Sequence, residues 1–353
     1  MGRAIRWLIG IGAAVAVVVV LLAQIPAVQD AMIRRVIATR IAMPHGDLLG
    51  NDALRVVLCG TASPMPHPTR AKACVAVFAG KKFWVVDTGP SSWNSAALAR
   101  IDASAIGGVL LTHFHSDHIG ELGEWNLQSW VAGRPGPLAV YGGPGVERVV
   151  AGFNEAYALD SGYRVAHHGA EFLHPENGKM VAHPVEPGVL LDEDGLRITA
   201  FAVHHDPISP AYGYRFDYRG RSAVVSGDTT ADPRLVAASR DVDVLAHEEL
   251  TPAMIAKIGE VMTANGRTRA AKIMADIPDY HTDPVVVARE ANDANVRMLV
   301  FYHLLPPPQT GWMERMLMRG VDAVRPTGWM VADDGTLIEL PPESKEISVR
   351  KLP

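Results

Sequence analysis

Cysteine is scarce in this 353-residue chain, and no block of lysine and arginine occurs beyond its first 40 positions. Cys59 and Cys74, the two cysteines, each lie in an apolar, strand-like run. They read as small buried side chains rather than disulfide partners, so cysteine usage fixes no redox compartment. A net charge of -5 without a basic block argues against a nucleic-acid partner, because phosphate backbones call for a basic face. No stretch repeats at a fixed period, which excludes a solenoid. The Gly133–Pro187 segment, rich in Gly, Pro and His, has no readable motif, so the sequence does not name a substrate.

What is present begins with an apolar N-terminus. Trp7–Ala23 runs without a charge behind Arg3 and Arg6, and with Gln24–Val28 it reaches the roughly 20 residues that span a bilayer. The small-residue pattern of a cleavable signal is poor, since Gln24, Ile25 and Pro26 follow the run, so an uncleaved anchor is favoured over a signal peptide. A basic flank before the first apolar segment usually stays inside, which places the remainder in the periplasm or otherwise outside the cytoplasm, although Arg34, Arg35 and Arg40 nearly balance the count. Met32, Ile33, Val36, Ile37 and Ile41 then recur at helical spacing. They suit an amphipathic segment ended by Met43-Pro44-His45-Gly46. The expected organisation is an anchor over 1–28, an amphipathic linker over 29–50, the main folded domain over 51–340 and a polar tail over 341–353.

The richest chemistry lies in Leu110-Leu111-Thr112-His113-Phe114-His115-Ser116-Asp117-His118-Ile119-Gly120. The apolar run Gly108–Leu111 reads as a buried strand that empties into three histidines and an aspartate. Imidazole and carboxylate are the ligands that suit zinc, manganese or iron. Residues two apart in an extended loop point the same way, so His113 and His115 can grip one ion while Asp117 and His118 serve a second. This His-x-His-x-Asp-His pattern resembles the signature of the metallo-β-lactamase superfamily of dinuclear metallohydrolases.

Strand-like runs at Leu54–Leu58, Cys74–Ala79 and Phe83–Val86 precede it, the last ending in Asp87-Thr88-Gly89, which resembles the family's buttress for the metal loop. Helices are expected over Ser91–Ile101, Glu121–Val131, Pro144–Leu159, Pro252–Ala264 and Pro284–Asn295. Further strands are expected over Leu196–Val203, Tyr212–Tyr218, Arg221–Ser226, Val242–Ala246 and Met298–Tyr302, with a closing hairpin of Gly328–Ala332 and Thr336–Leu340. Strand after strand ends in His or Asp, as ligands do at the edge of layered α/β folds. The resemblance implies a four-layer αββα sandwich, here an α/β domain preceded by a transmembrane helix.

Carried over residue by residue, the resemblance assigns His113, His115 and His205 to one metal, and Asp117, His118 and His303 to another. Asp228 would bridge them. The adjacent His204 is read as a core or supporting residue, and Asp87 and Thr112 as partners for the outer ring nitrogens. Ala246-His247-Glu248-Glu249 and Asp279-Tyr280-His281-Thr282 resemble motifs of the ribonuclease Z and arylsulfatase-like branch, in which the second histidine protonates the leaving group. Asp117, His281 and Glu248 are the candidates for catalytic work. Only 22 residues separate His205 from Asp228, too few for the arm with which short ribonucleases Z grip tRNA. With the missing basic face and the apolar N-terminus, that points to a membrane-anchored hydrolase of phosphate or sulfate esters using two Zn2+, with Mn2+ or Fe as substitutes. A ribonuclease Z-type nuclease, a lactonase or β-lactamase, and a non-catalytic metal domain are the alternatives. The expected partners are a small-molecule ester, the membrane and a second copy in a homodimer, with nucleic acid disfavoured.

Overall fold

The computed structural model describes residues 2–41, 48–50 and 52–352. They form two units, Met1–Asp47 and Leu48–Pro353. In the first, helices Arg3–Ala23 and Pro26–Ile41 meet at 84°. Pro26 opens the second helix, where its missing N–H costs nothing. Among the described residues no single helix is long and apolar enough to cross a membrane; the two pass such a test only as a bent pair. Met32, Ile33, Val36 and Ile37 are exposed on the second helix. The expected stop at Met43–Gly46 lies outside the described residues.

Among the described residues the second unit holds fifteen strands: β1 (Leu54–Gly60), β2 (Cys74–Ala79), β3 (Lys82–Val86), β4 (Ile106–Leu110), β5 (Leu138–Gly142), β6 (Met180–Pro184), β7 (Gly188–Glu193), β8 (Leu196–His205), β9 (Ile208–Tyr218), β10 (Arg221–Val225), β11 (Val244–Leu250), β12 (Met298–Leu305), β13 (Trp329–Val331), β14 (Thr336–Leu340) and β15 (Ser348–Lys351). One sheet runs β15-β14-β1-β2-β3-β4-β5-β6, the other β13-β12-β11-β10-β9-β8-β7. Val56, Val77, Val86, Tyr214, Phe216, Val225, Tyr302 and Ile338 fill the space between them. Trp125, from helix Leu122–Val131, packs with Phe78 and Phe83 on the outer face of the first sheet, while Val287 and Ala291, from helix Pro284–Asp293, pack with Leu299 and Phe301 on the second. The result is helix, sheet, sheet, helix. A strand buried on both faces, such as β2, reads in sequence as a near-continuous apolar run for this reason.

Several expectations need correction. Cys59 and Cys74 are joined by a disulfide, because β1 and β2 are antiparallel neighbours that bring the two Cα atoms to 4.9 Å. The closing hairpin does not exist: β13 pairs in parallel with β12, whereas β14 pairs with β1, so the turn at Asp333-Asp334-Gly335 crosses between sheets. Part of the polar tail is strand β15, antiparallel to β14. Helix Val146–His168 runs nine residues past Leu159, and helix Thr268–Asp276 stands where none was expected.

Candidate metal centre

Strands β4, β10, β11 and β12 run parallel within their sheets, and their carboxyl ends meet at one edge of the sandwich, as does the end of β8. The chain leaves β4 as an extended loop through His113 and His115, then makes the short helix Ser116–Ile119 that turns Asp117 and His118 inward. Hairpin β8–β9 supplies His205, β10 delivers Asp228, and β12 contains His303.

Asp228 sits at the centre. Its Oδ2 lies 3.2 Å from His118 Nε2, 3.8 Å from His113 Nε2 and 3.9 Å from His205 Nε2, and its Oδ1 lies 3.5 Å from His303 Nδ1. Potential ligand atoms cluster as His113, His115, His205 and Asp228, as Asp117, His118 and His303, and as Asp228, His281 and His303, each set within 4.8 Å. The structure thus brings together all seven residues assigned to metal.

Supporting contacts fix which ring nitrogen His118 and His205 present. His118 Nδ1 donates to Asp87 Oδ2 at 2.7 Å, and the Thr112 amide and hydroxyl donate to the same carboxylate at 2.9 and 2.8 Å. His205 Nδ1 donates to the Tyr280 carbonyl at 2.9 Å. Both rings therefore aim Nε2 at Asp228. Asp87 (φ 59°) and His303 (φ 47°) occupy the left-handed region, which side chains other than glycine seldom adopt and which concentrates at functional sites.

These donors fit divalent cations. His205 Nε2, His303 Nδ1 and Asp228 Oδ1 are buried without a hydrogen-bond partner, which is costly unless something else satisfies them. Burial holds His205 down to about 4 and pushes His113 well below the usual range, with the charge of His118 adding to it. Both therefore stay in the neutral form that a metal requires. Asp117 is held at about 2, and Asp228 is also lowered: burial opposes ionisation in each, but His118 and His303 outweigh it. Burial likewise disfavours charge on His118, yet Asp228, Asp87 and Asp117 raise it well above the ordinary histidine value. The carboxylates concentrate charge where a cation would bind.

His281 is buried beside this centre. Its Nδ1 donates to Glu248 Oε2 at 3.1 Å, and Glu248 Oε1 accepts the Thr282 amide at 2.9 Å. Ser226 Oγ accepts the Glu248 amide at 3.1 Å. Burial lowers the pKa of His281, with Asp228 opposing the shift. His204 corrects one expectation: its side chain is half exposed and belongs to no core, because alternation along β8 turns it outward. Sequence reasoning missed the Tyr280 carbonyl and Ser226, since a main-chain acceptor and a lone serine leave no motif.

The family described as "Beta-lactamase superfamily domain" matches residues 84–304. A protein named Ribonuclease Z from Mycobacterium bovis (strain BCG / Pasteur 1173P2) is 35% identical over 265 residues, 74% of this chain and 90% of that protein. A protein of the same name from Mycobacterium marinum is 34% identical over 256 residues, 72% and 87% of the two chains. Among solved structures, human tRNase Z, short form, superposes with a TM-score of 0.58 at 18% identity, over 81% of this chain and 99% of that one. The relatives overturn the leading expectation of a membrane-anchored hydrolase of small phosphate or sulfate esters. The tight β8–β9 turn, lacking an arm, does not separate this chain from proteins of that name, and net charge alone was too blunt to exclude nucleic acid.

Proposed function

The chain belongs to the beta-lactamase superfamily, close to ribonuclease Z, and on that premise we propose that it is a ribonuclease Z-type endoribonuclease that hydrolyses an RNA phosphodiester with two zinc ions. The relatives' name supports RNA as the substrate. In this reading His113, His115 and His205 hold one ion, Asp117, His118 and His303 hold the other, and Asp228 serves both. Bound there, the ions would supply Lewis-acid chemistry, activating water and neutralising charge on the phosphate oxygens.

The observation that carries the mechanism is the His281–Glu248 pair beside Asp228. Glu248 accepts the hydrogen bond that His281 Nδ1 donates, which fixes the ring's orientation and leaves Nε2 for the reacting group. The Thr282 amide and Ser226 hold Glu248 in place, so the ring does not have to be oriented anew in each turnover. As the phosphorus–oxygen bond breaks, the protonated form of His281, which burial disfavours and the Asp228 charge favours, donates from Nε2 to the departing ribose oxygen, a poor leaving group that needs an acid.

The test is cleavage of a precursor tRNA by the zinc-loaded protein, set beside aryl phosphodiesters and aryl sulfates. Specific cuts in RNA are expected. His281→Ala should slow them by roughly 10²–10⁴-fold while metal content stays constant. Nitrophenyl esters, whose leaving group departs unaided, should scarcely respond. Turnover of aryl sulfates with intact RNA would overturn the reading, and loss of metal in the variant would make His281 a ligand instead.

A further inference from the structure

The Cys59–Cys74 disulfide joins β1 to β2, and we propose that it is a positioning element for one half of the metal centre. It secures the supports of Asp117, His118 and His303 and leaves those of His113 and His205 alone. The inference rests on the metal assignment above and is independent of the RNA substrate.

On the β1 side, the bond lies at a register shift between Leu58 and Gly60, with Gly60 opposite Cys74. The next carbonyl, Thr61 O, accepts the Leu304 amide at 2.9 Å, and Ala62 forms a parallel bridge with Leu304. Leu304 directly follows His303, so the end of β1 holds the backbone that carries this side chain in its left-handed conformation.

On the β2 side, the Ala73 carbonyl accepts the Gly89 amide at 2.9 Å, and the Lys72 amide donates to Pro90 O at 3.0 Å. The adjoining Thr88 amide donates to His118 O at 2.6 Å. Two glycines make the coupling stiff. A Cβ at Gly60 would lie 1.6 Å from Lys72 O, and one at Gly89 would lie 2.2 Å from Asp117 O and 2.6 Å from Lys72 Cβ. The backbone of Gly60 meets that of Lys72, and Gly89 meets both Lys72 and Asp117, with no compliant side chain of their own between them. A relaxation of the joined ends of β1 and β2 therefore reaches Asp117, His118 and His303 through the main chain.

The other half is tied elsewhere. His205 is fixed by the Tyr280 carbonyl, and Leu111, before His113, by an amide donated to Tyr141 O at 2.8 Å. Asp87, which touches Thr112, is anchored to β4 by its own amide on Leu110 O at 3.1 Å.

Reduction by a dithiol breaks the sulfur–sulfur bond. Two electrons and two protons give the Cys59 and Cys74 thiols, and the reagent closes to its own disulfide. The experiment compares oxidised and dithiothreitol-reduced full-length protein by native mass spectrometry under zinc titration, with thiol alkylation to count the bond. The Cys59→Ser/Cys74→Ser double variant provides the open form where burial shields the bond from reagent. The oxidised chain should hold two ions; the open form should keep one and bind the other about 10–100-fold more weakly, the range for lost supporting contacts. Reoxidation should restore it. A second arm needs no metal: in the metal-free protein, hydrogen exchange should rise at Thr88, Gly89 and Leu304 on opening, and remain constant at Leu111 and His205. Loss of both ions, retention of both, or a uniform rise in exchange would overturn the proposal, as would two free thiols in the oxidised protein. If the oxidised chain never holds more than one ion, the dinuclear reading fails, and the exchange arm still decides the disulfide's role.

Discussion

His113, His115 and His205 cluster with Asp228 as one set of potential ligands, and His115 is half-buried rather than buried. Asp117, His118 and His303 form another set, all buried, with Asp87 adding a further carboxylate behind His118. The first group is three imidazoles whose neutrality comes from burial. The second brings negative charge that His118 already neutralises in part. One half is therefore open only at His115 and electrically quiet, and the other is enclosed and charge-dense. Ligand type alone does not distinguish two sites that differ this much in what holds them.

The largest effect should come from the residue that joins the halves. Asp228→Asn removes the charge that four histidines face, so both ions should be lost and RNA cleavage should fall to background. Elemental analysis of the purified variant checks this; retention of two ions would show that the halves do not depend on a shared carboxylate. A smaller and selective effect is expected at Asp87. Asp87→Ala removes the acceptor for His118 Nδ1, and affinity for one ion should drop about 10–100-fold. The other ion should bind as before, as zinc titration would reveal. Equal weakening of both would erase the distinction drawn above, since the Asp87–Thr112 contact would then matter as much as the Asp87–His118 one.

Glu290 touches neither half and should give the smallest effect. Its carboxyl accepts the Asp232 amide at 2.9 Å, and burial raises its pKa to about 7 from the usual 4.5. The folded state thus holds this proton more tightly than the unfolded chain. Stability from it is fully present below the unfolded value and is lost as pH rises through the folded one. Glu290→Gln keeps an acceptor but cannot ionise, so the variant should be the more stable partner at pH 8 and show no such advantage at pH 5. Denaturant midpoints at the two pH values decide the matter; parallel midpoints would mean that Glu290 titrates normally. Metal content should not change in either condition.

Legibility in the sequence followed locality. The His113–His118 group is carried by one loop, so its spacing alone placed four side chains. His205, Asp228 and His303 were reachable because each follows or ends an apolar run that reads as a buried strand, and the resemblance then assigned them as ligands. The choice of His205 over His204 came from the resemblance, and the structure gives its physical reason: along β8, Val203 and His205 face inward and His204 outward. What stayed hidden depends on register between distant segments. Cys59 and Cys74 looked like ordinary core residues because their pairing follows from β1 lying beside β2. The supposed hairpin after Gly328 failed for the same reason, since β13 and β14 are neighbours in sequence and belong to different sheets. The helix Thr268–Asp276 lacks a capping side chain at its start, which removes the usual signal of its onset.

Strand β1 lies between β2 and β14, and its Arg55 pairs with Glu339, 284 residues further along the chain. On a ribosome, β1 would leave the exit tunnel long before its second neighbour was made. Through most of translation the growing sheet would present an open, apolar flank, the kind of surface that invites pairing with another nascent chain. Closure would come only when Thr336–Leu340 docks and Ser348–Lys351 lies against it, with Arg350 and Lys351 charging the rim left at the outside. Truncation upstream of Ser348 would therefore act on yield and solubility well before it touched chemistry.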